Sequence, residues 1–169
     1  MKEKIINIPN FLTTIRLILA IVFVFLVAES KITLAIIVVL LAIVTDLLDG
    51  YFARKLKQVS QFGRLFDSTV DASAFLMALV VLSFFDYIEP TIAALIIFAG
   101  ILRAIGYSIQ KKITPDYWSK VSFLIVNILI ILSLLHQPIY NLLKWPAVIN
   151  HALVGCTGLY KAVKSYRKL

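Results

Sequence analysis

Residues 17–51 read LILAIVFVFLVA, then ESK, then ITLAIIVVLLAIVTDLLDGY. Two apolar runs stand on either side of one polar turn, Glu29, Ser30 and Lys31. Neither run alternates polar with apolar positions, which argues against the strands of a membrane barrel. A helix needs about 20 apolar residues to cross the hydrocarbon core, and each run with its flanks meets that length. The second run ends on Asp46 and Asp49, charged residues inside an otherwise apolar helix.

The rest of the chain repeats this pattern. Of its 169 residues 61% are hydrophobic and only 15% charged, and the mean hydropathy is +0.95. A soluble domain carries about 25% charged residues. A small soluble enzyme is therefore disfavoured, and disorder is excluded by the apolar content. Spans are expected at residues 11–28, 32–51, 63–85, 91–109, 117–135 and 147–160. The last is short, because 136–146 with its two prolines is ambiguous and offers an alternative start near Ile139. Residues 5–16, mixed in polarity and carrying Pro9 and Asn10, suit a short interfacial helix ahead of the first span. Residues 54–60 read as a basic connection. Lys2, Lys4 and the apolar run to Ala28 resemble a cleavable leader. A second apolar run follows almost at once, so the segment reads as an uncleaved span.

Charge then sets the topology. With a cytoplasmic N-terminus, Lys31 and Lys144 alone among the 17 Lys and Arg fall on the far side. By the positive-inside rule both termini are cytoplasmic and the chain is an all-α membrane protein of six transmembrane helices. The net charge of +8 belongs to this bias and to anionic headgroups. It does not point to nucleic acid, because the basic residues alternate with spans and form no soluble patch. The single cysteine, Cys156, permits no internal disulfide and reads as packing.

Of the nine acidic residues, Asp46, Asp49, Asp67 and Asp71 fall within apolar helices. A carboxylate there is costly and marks function by default. Asp46 and Asp49 share one helix face, and Asp67 and Asp71 share another. A short basic loop joins these helices, so they are expected to pack on each other and bring four carboxylates to one cytoplasm-facing point. Such a set needs protonation or a divalent cation. All-oxygen ligands favour Mg²⁺, with Mn²⁺ or Ca²⁺ as alternatives. Two metals about 3.5–4 Å apart are a known device for phosphoryl displacement. Gly50, Ala53 and Gly63 extend these faces and leave room beside the acids, or else serve helix packing.

The run Asp46-Leu-Leu-Asp49-Gly50-Tyr-Phe-Ala53-Arg54, eight residues, then Gly63-Arg-Leu-Phe-Asp67-Ser-Thr-Val-Asp71 resembles the signature of the CDP-alcohol phosphotransferases. Every fixed position of D-x-x-D-G-x-x-A-R, eight residues, G-x-x-x-D-x-x-x-D is matched. Residues 8–16, IPNFLTTIR, also resemble the N-terminal segment of bacterial phosphatidylglycerophosphate synthases. The resemblance implies one membrane domain over 1–169, in a bacterial inner membrane with its site facing the cytoplasm, and a homodimer. It implies transfer of the phosphatidyl group of CDP-diacylglycerol to an alcohol, with CMP leaving. It makes Asp46, Asp49 and Asp67 the main ligands of one or two Mg²⁺ or Mn²⁺ ions. Asp71 also approaches a metal and acts as general base on the acceptor hydroxyl. Asp49, Gly50, Ala53, Arg54 and Gly63 bind the cytidine nucleotide.

The acceptor rests on other residues. Arg103 inside the fourth span, Lys120 opening the fifth, and Lys111 and Lys112 between them suit an acceptor with its own phosphate. Their bland alternative is snorkelling to headgroups. The leading expectation is glycerol 3-phosphate. Inositol phosphate, serine and phosphatidylglycerol are the sibling alternatives. Family members using glycerol phosphate often read Asp-Pro-x-Ala-Asp-Lys where this chain has Asp67-Ser-Thr-Val-Asp71-Ala72, which leaves the acceptor open. Arg16 either reaches a donor phosphate or anchors the interface. His136 and His151 read as packing or interfacial residues, and Trp118 and Trp145 as an interface belt. A divalent-metal transporter is the remote alternative, since buried acids also mark ion pathways. Against it, the far halves of the spans are apolar. A scaffold without chemistry offers no reason for the four acids.

Overall fold

The computed structural model of the chain describes residues 7–56, 60–110, 117–135 and 138–166. Among these residues there are six helices and no strand: α1 (Ile8–Ala28), α2 (Ile32–Lys55), α3 (Gln61–Phe84), α4 (Pro90–Gln110), α5 (Tyr117–Leu134) and α6 (Pro138–Tyr166). They fall into two compact units, Met1–Phe85 and Asp86–Leu169.

In the first unit α1 packs against both α2 and α3, and these two contacts dominate. Among the described residues α2 and α3 each pack more on α1 than on each other, so the expected packing of α2 on α3 runs mainly through α1. The local chemistry of α1 explains its length. Asn7 caps it, its side chain accepting the Asn10 N–H at 2.9 Å. Pro9 sits in the first turn, where a missing N–H breaks no helical bond. Residues 8–16 are therefore the first turns of α1, and no separate interfacial helix occurs among the described residues. Ser30 ends the helix in the left-handed conformation, at φ 56. The Ser30 N–H reaches the Val27 carbonyl at 2.9 Å and the Lys31 N–H reaches that of Leu26 at 2.8 Å. This double closure satisfies the last carbonyls and reverses the chain within three residues.

α2 runs on past residue 51 to Lys55, so the end of the Asp46–Arg54 motif is helical and not part of the loop. Lys55 Nζ lies 5.3 Å from the Tyr51 ring one turn earlier, a cation–π contact that favours the extra turn.

The second unit is built the same way, with α6 against α4 and α5. α6 continues through Pro146, which loses one ladder hydrogen bond. The packing beyond it holds: Ala147, Val148 and His151 are all buried. His151 Nδ1 and Ser122 Oγ lie 2.8 Å apart, joining α6 to α5, which makes His151 a packing residue. His136 lies outside the described residues. Cys156 is exposed, not packed.

α1 as a whole and the stretches Ile32–Asp49 and Leu65–Phe84 are long and apolar enough to cross a membrane. α4 and α5 contain shorter apolar stretches, Pro90–Leu102 and Leu124–Leu134. Large apolar side chains such as Phe11, Phe25, Leu47, Phe84 and Leu142 stand exposed. Helices apolar on their outer faces as well as within belong in lipid.

Gly155 marks the tightest approach in the second unit. A Cβ there would lie 2.7 Å from the Ala99 carbonyl oxygen, whereas one at Gly158 would meet nothing within 4 Å. Gly155→Ala is expected to destabilise the chain by about 1–3 kcal/mol through this overlap. Gly158→Ala should be neutral or slightly stabilising, since alanine is the better helix former. Thermal melts of both variants in detergent check this, and equal effects would refute the close approach.

Candidate active site

Three helices supply the site. α1 carries Asn10, Thr13 and Arg16 at a spacing of three, a polar stripe on a mostly apolar helix, and all three are buried. α2 brings Asp46 and Asp49 on one face, and α3 brings Asp67 and Asp71 on another. Because α1 packs on both, its stripe meets both acidic faces.

Arg16 is the meeting point. Its Nη2 lies 3.1 Å from Asp46 Oδ1 and also donates to Asp49 Oδ2. Its Nη1 donates to Asp67 Oδ1 at 2.9 Å and to Asp71 Oδ1. The Arg16 side chain is only 5% exposed and that of Asp49 only 9%. Asp71 is 28% exposed, and Asp46 and Asp67 are each 36% exposed. The cluster is therefore closed around Arg16 and Asp49 and opens to the outside at Asp46 and Asp67. Arg16 thus lies among the carboxylates and is not an interface anchor. The signal that would have found it is the Asn10–Thr13–Arg16 spacing, which places an arginine on a buried face.

One guanidinium faces four carboxylates, so negative charge is in excess when the acids are ionised. Asp46, Asp49 and Asp67 each offer a carboxylate oxygen within 4.8 Å of the other two. Three converging anionic oxygens suit a hard divalent cation by ligand type and by charge. Asp71 is outside this trio and is tied to it through Arg16.

The start of α3 lies against the start of α1. Ser60 caps α3, its Oγ accepting the Gly63 N–H at 2.8 Å. A Cβ at Gly63 would fall 2.9 Å from Asn10 Oδ1 and 3.0 Å from Ser60 Oγ. The room expected beside the acids at this position is thus taken by the chain's own side chains, and the glycine permits the close approach of α1 to α3.

Gly50, Ala53 and Arg54 lie on α2, Arg103 on α4 and Lys120 on α5. Their surroundings lie outside the described residues, as do Lys111 and Lys112 altogether.

The family model for CDP-alcohol phosphatidyltransferase matches residues 6–156, which takes in the whole cluster. The chain belongs to the CDP-alcohol phosphatidyltransferase family. It is an enzyme of phospholipid biosynthesis, and the transporter and scaffold alternatives fall. Among its relatives, a protein of Aquifex aeolicus is 33% identical over 141 residues, 80% of this chain and 77% of that protein. That relative is named CDP-diacylglycerol–glycerol-3-phosphate 3-phosphatidyltransferase. A protein of the same name from Haemophilus influenzae is 43% identical over 79 residues, 45% of this chain and 43% of its own length. A CMP-forming cardiolipin synthase of Streptomyces coelicolor is 31% identical over 119 residues, 62% of this chain and 55% of that protein.

The Gly63 contact is testable as packing in this phosphatidyltransferase. Ser60→Ala removes one cap and is expected to cost about 1 kcal/mol. Gly63→Val must displace both Asn10 and Ser60, so its melting temperature in detergent should fall further. A Gly63→Val chain as stable as wild type would disprove the close approach.

Proposed function

We propose that the chain transfers the phosphatidyl group of CDP-diacylglycerol to glycerol 3-phosphate, releasing CMP. The observation that carries this is the convergence of Asp46, Asp49 and Asp67 in a chain of this family. The named activity of the Aquifex aeolicus relative, aligned over 80% of this chain, supports the acceptor. A second reading, phosphatidylglycerol as acceptor, is favoured by the likeness to the Streptomyces coelicolor cardiolipin synthase.

In this reading Asp46, Asp49 and Asp67 hold one or two divalent ions, Mg²⁺ or Mn²⁺. A cation bound there supplies charge neutralisation and Lewis-acid polarisation at the diphosphate. Gly50, Ala53 and Arg54 bind the cytidine nucleotide with Asp49, while Gly63 keeps α3 close to α1. Asp71 accepts the proton of the acceptor hydroxyl as its oxygen bonds to the phosphatidyl phosphorus. The bond from that phosphorus to the CMP oxygen breaks, and CMP leaves. Arg103, Lys120, Lys111 and Lys112 bind the phosphate of the acceptor, where Arg offers a bidentate fork.

The family match takes in residues from both units, which supports reading 1–169 as one functional domain. The charge bias supports six spanning helices, with both termini and the acidic cluster on the cytoplasmic side of a bacterial inner membrane. A homodimer in the bilayer completes the proposal.

The test is CMP release by the full chain in detergent, with CDP-diacylglycerol, Mg²⁺ and one acceptor at a time. Glycerol 3-phosphate should release CMP, and EDTA should abolish the release. Asp71→Asn should lower turnover by about 10²-fold or more, as loss of a general base does. Asp67→Asn should raise the Mg²⁺ concentration needed for half-maximal release and lower turnover too. Release with phosphatidylglycerol alone would replace the acceptor and keep the mechanism. Full metal-dependent turnover in Asp67→Asn would overturn the site assignment.

A further inference from the structure

Arg16 contacts all four carboxylates, and the three that approach one another closely enough to hold a cation are among those four. A guanidinium and a divalent cation therefore draw on one set of ligands. Two cations at the same carboxylates repel each other, and a guanidinium only 5% exposed has little solvent to screen that repulsion. The fit of Arg16 to the acids is also incomplete. Arginine offers five donors in a rigid fork. Only Nη1 and Nη2 meet carboxylates, while the Nε–H is buried without an acceptor. The side chain is held by charge without all its donors being satisfied, as suits a group that can leave.

We propose that Arg16 is an exchangeable counter-cation. It neutralises the four aspartates until a divalent cation takes Asp46, Asp49 and Asp67, and it then withdraws from them. Withdrawal also breaks its bond to Asp71 Oδ1, on the carboxylate proposed above as the base. Cation binding and the freeing of the base thus become one event. Arg16 acts here as a positioning residue, through Asp71 and the cation ligands. The inference rests on the cation-dependent reading of the site given above.

The test is Mn²⁺ binding by the full chain in detergent micelles, followed through the electron paramagnetic resonance signal of free Mn²⁺. Arg16→Gln removes the competing charge at similar size. It should bind Mn²⁺ about tenfold more tightly than wild type, on the Coulomb repulsion relieved. Arg16→Lys keeps the charge and should stay near the wild-type affinity. Thermal melts give a second readout. Arg16→Gln should melt below wild type in EDTA, and saturating Mn²⁺ should close the gap. An Arg16→Gln chain that folds only with Mn²⁺ present also supports the exchange. Unchanged or weaker Mn²⁺ binding in Arg16→Gln overturns it, because Arg16 then either holds the carboxylates for the cation or is unlinked to it. A wild-type chain that binds no Mn²⁺ overturns the cation-dependent reading itself.

Discussion

Four aspartates within two apolar helices set a charge problem that the first unit of this chain must solve. A carboxylate in a low-dielectric setting is held only by a close counter-charge and donors for its oxygens. Arg16 supplies both at once, with Nη1 serving the α3 pair and Nη2 serving the α2 pair. Its place explains why α1, and not a direct α2–α3 contact, is central to this unit. The guanidinium lies on α1, and each acidic helix packs where it can reach it. One positive charge does not balance four ionised carboxylates, and the remaining excess suits the cluster to a divalent cation.

The helix ends hold this arrangement in register. Ser30 reverses the chain between α1 and α2 in the left-handed conformation, at φ 56. Ser60 caps α3 beside Asn10, so the polar start of α1 and the start of α3 are locked together by Gly63. The polar stripe of α1 is therefore continuous from a packing contact at Asn10 to the charged contact at Arg16. In lipid these polar links matter more than apolar burial, because lipid tails and apolar side chains attract each other no differently. The second unit shows the same economy, with the Ser122–His151 bond and the Ala99–Gly155 approach tying α6 to its neighbours.

Family membership and the site divide the phosphatidyltransferase chemistry cleanly. The proposed displacement of CMP from CDP-diacylglycerol needs a counter-charge for the diphosphate, which a cation held by the aspartates would supply. The choice of alcohol needs other residues. The relatives carry different names at similar identity, one a glycerol-3-phosphate phosphatidyltransferase and one a cardiolipin synthase.

The sequence alone determined that the chain is a helical membrane protein and picked out Asp46, Asp49, Asp67 and Asp71 as its candidate site. Both are local properties: apolar runs set helix length in lipid, and spacings of three and four place side chains on one face. Helix ends were less legible. The α2 end at Lys55 and the passage of α6 through Pro146 depend on neighbouring turns and helices that outweigh residue preference. Only the tertiary structure decided that Arg16 joins the acids, that Gly63 serves packing against Asn10, and that Asp71 stands apart from the cation trio. These are contacts between residues tens of positions apart. Periodicity tells which face a residue occupies, and the packing of three helices tells which faces meet.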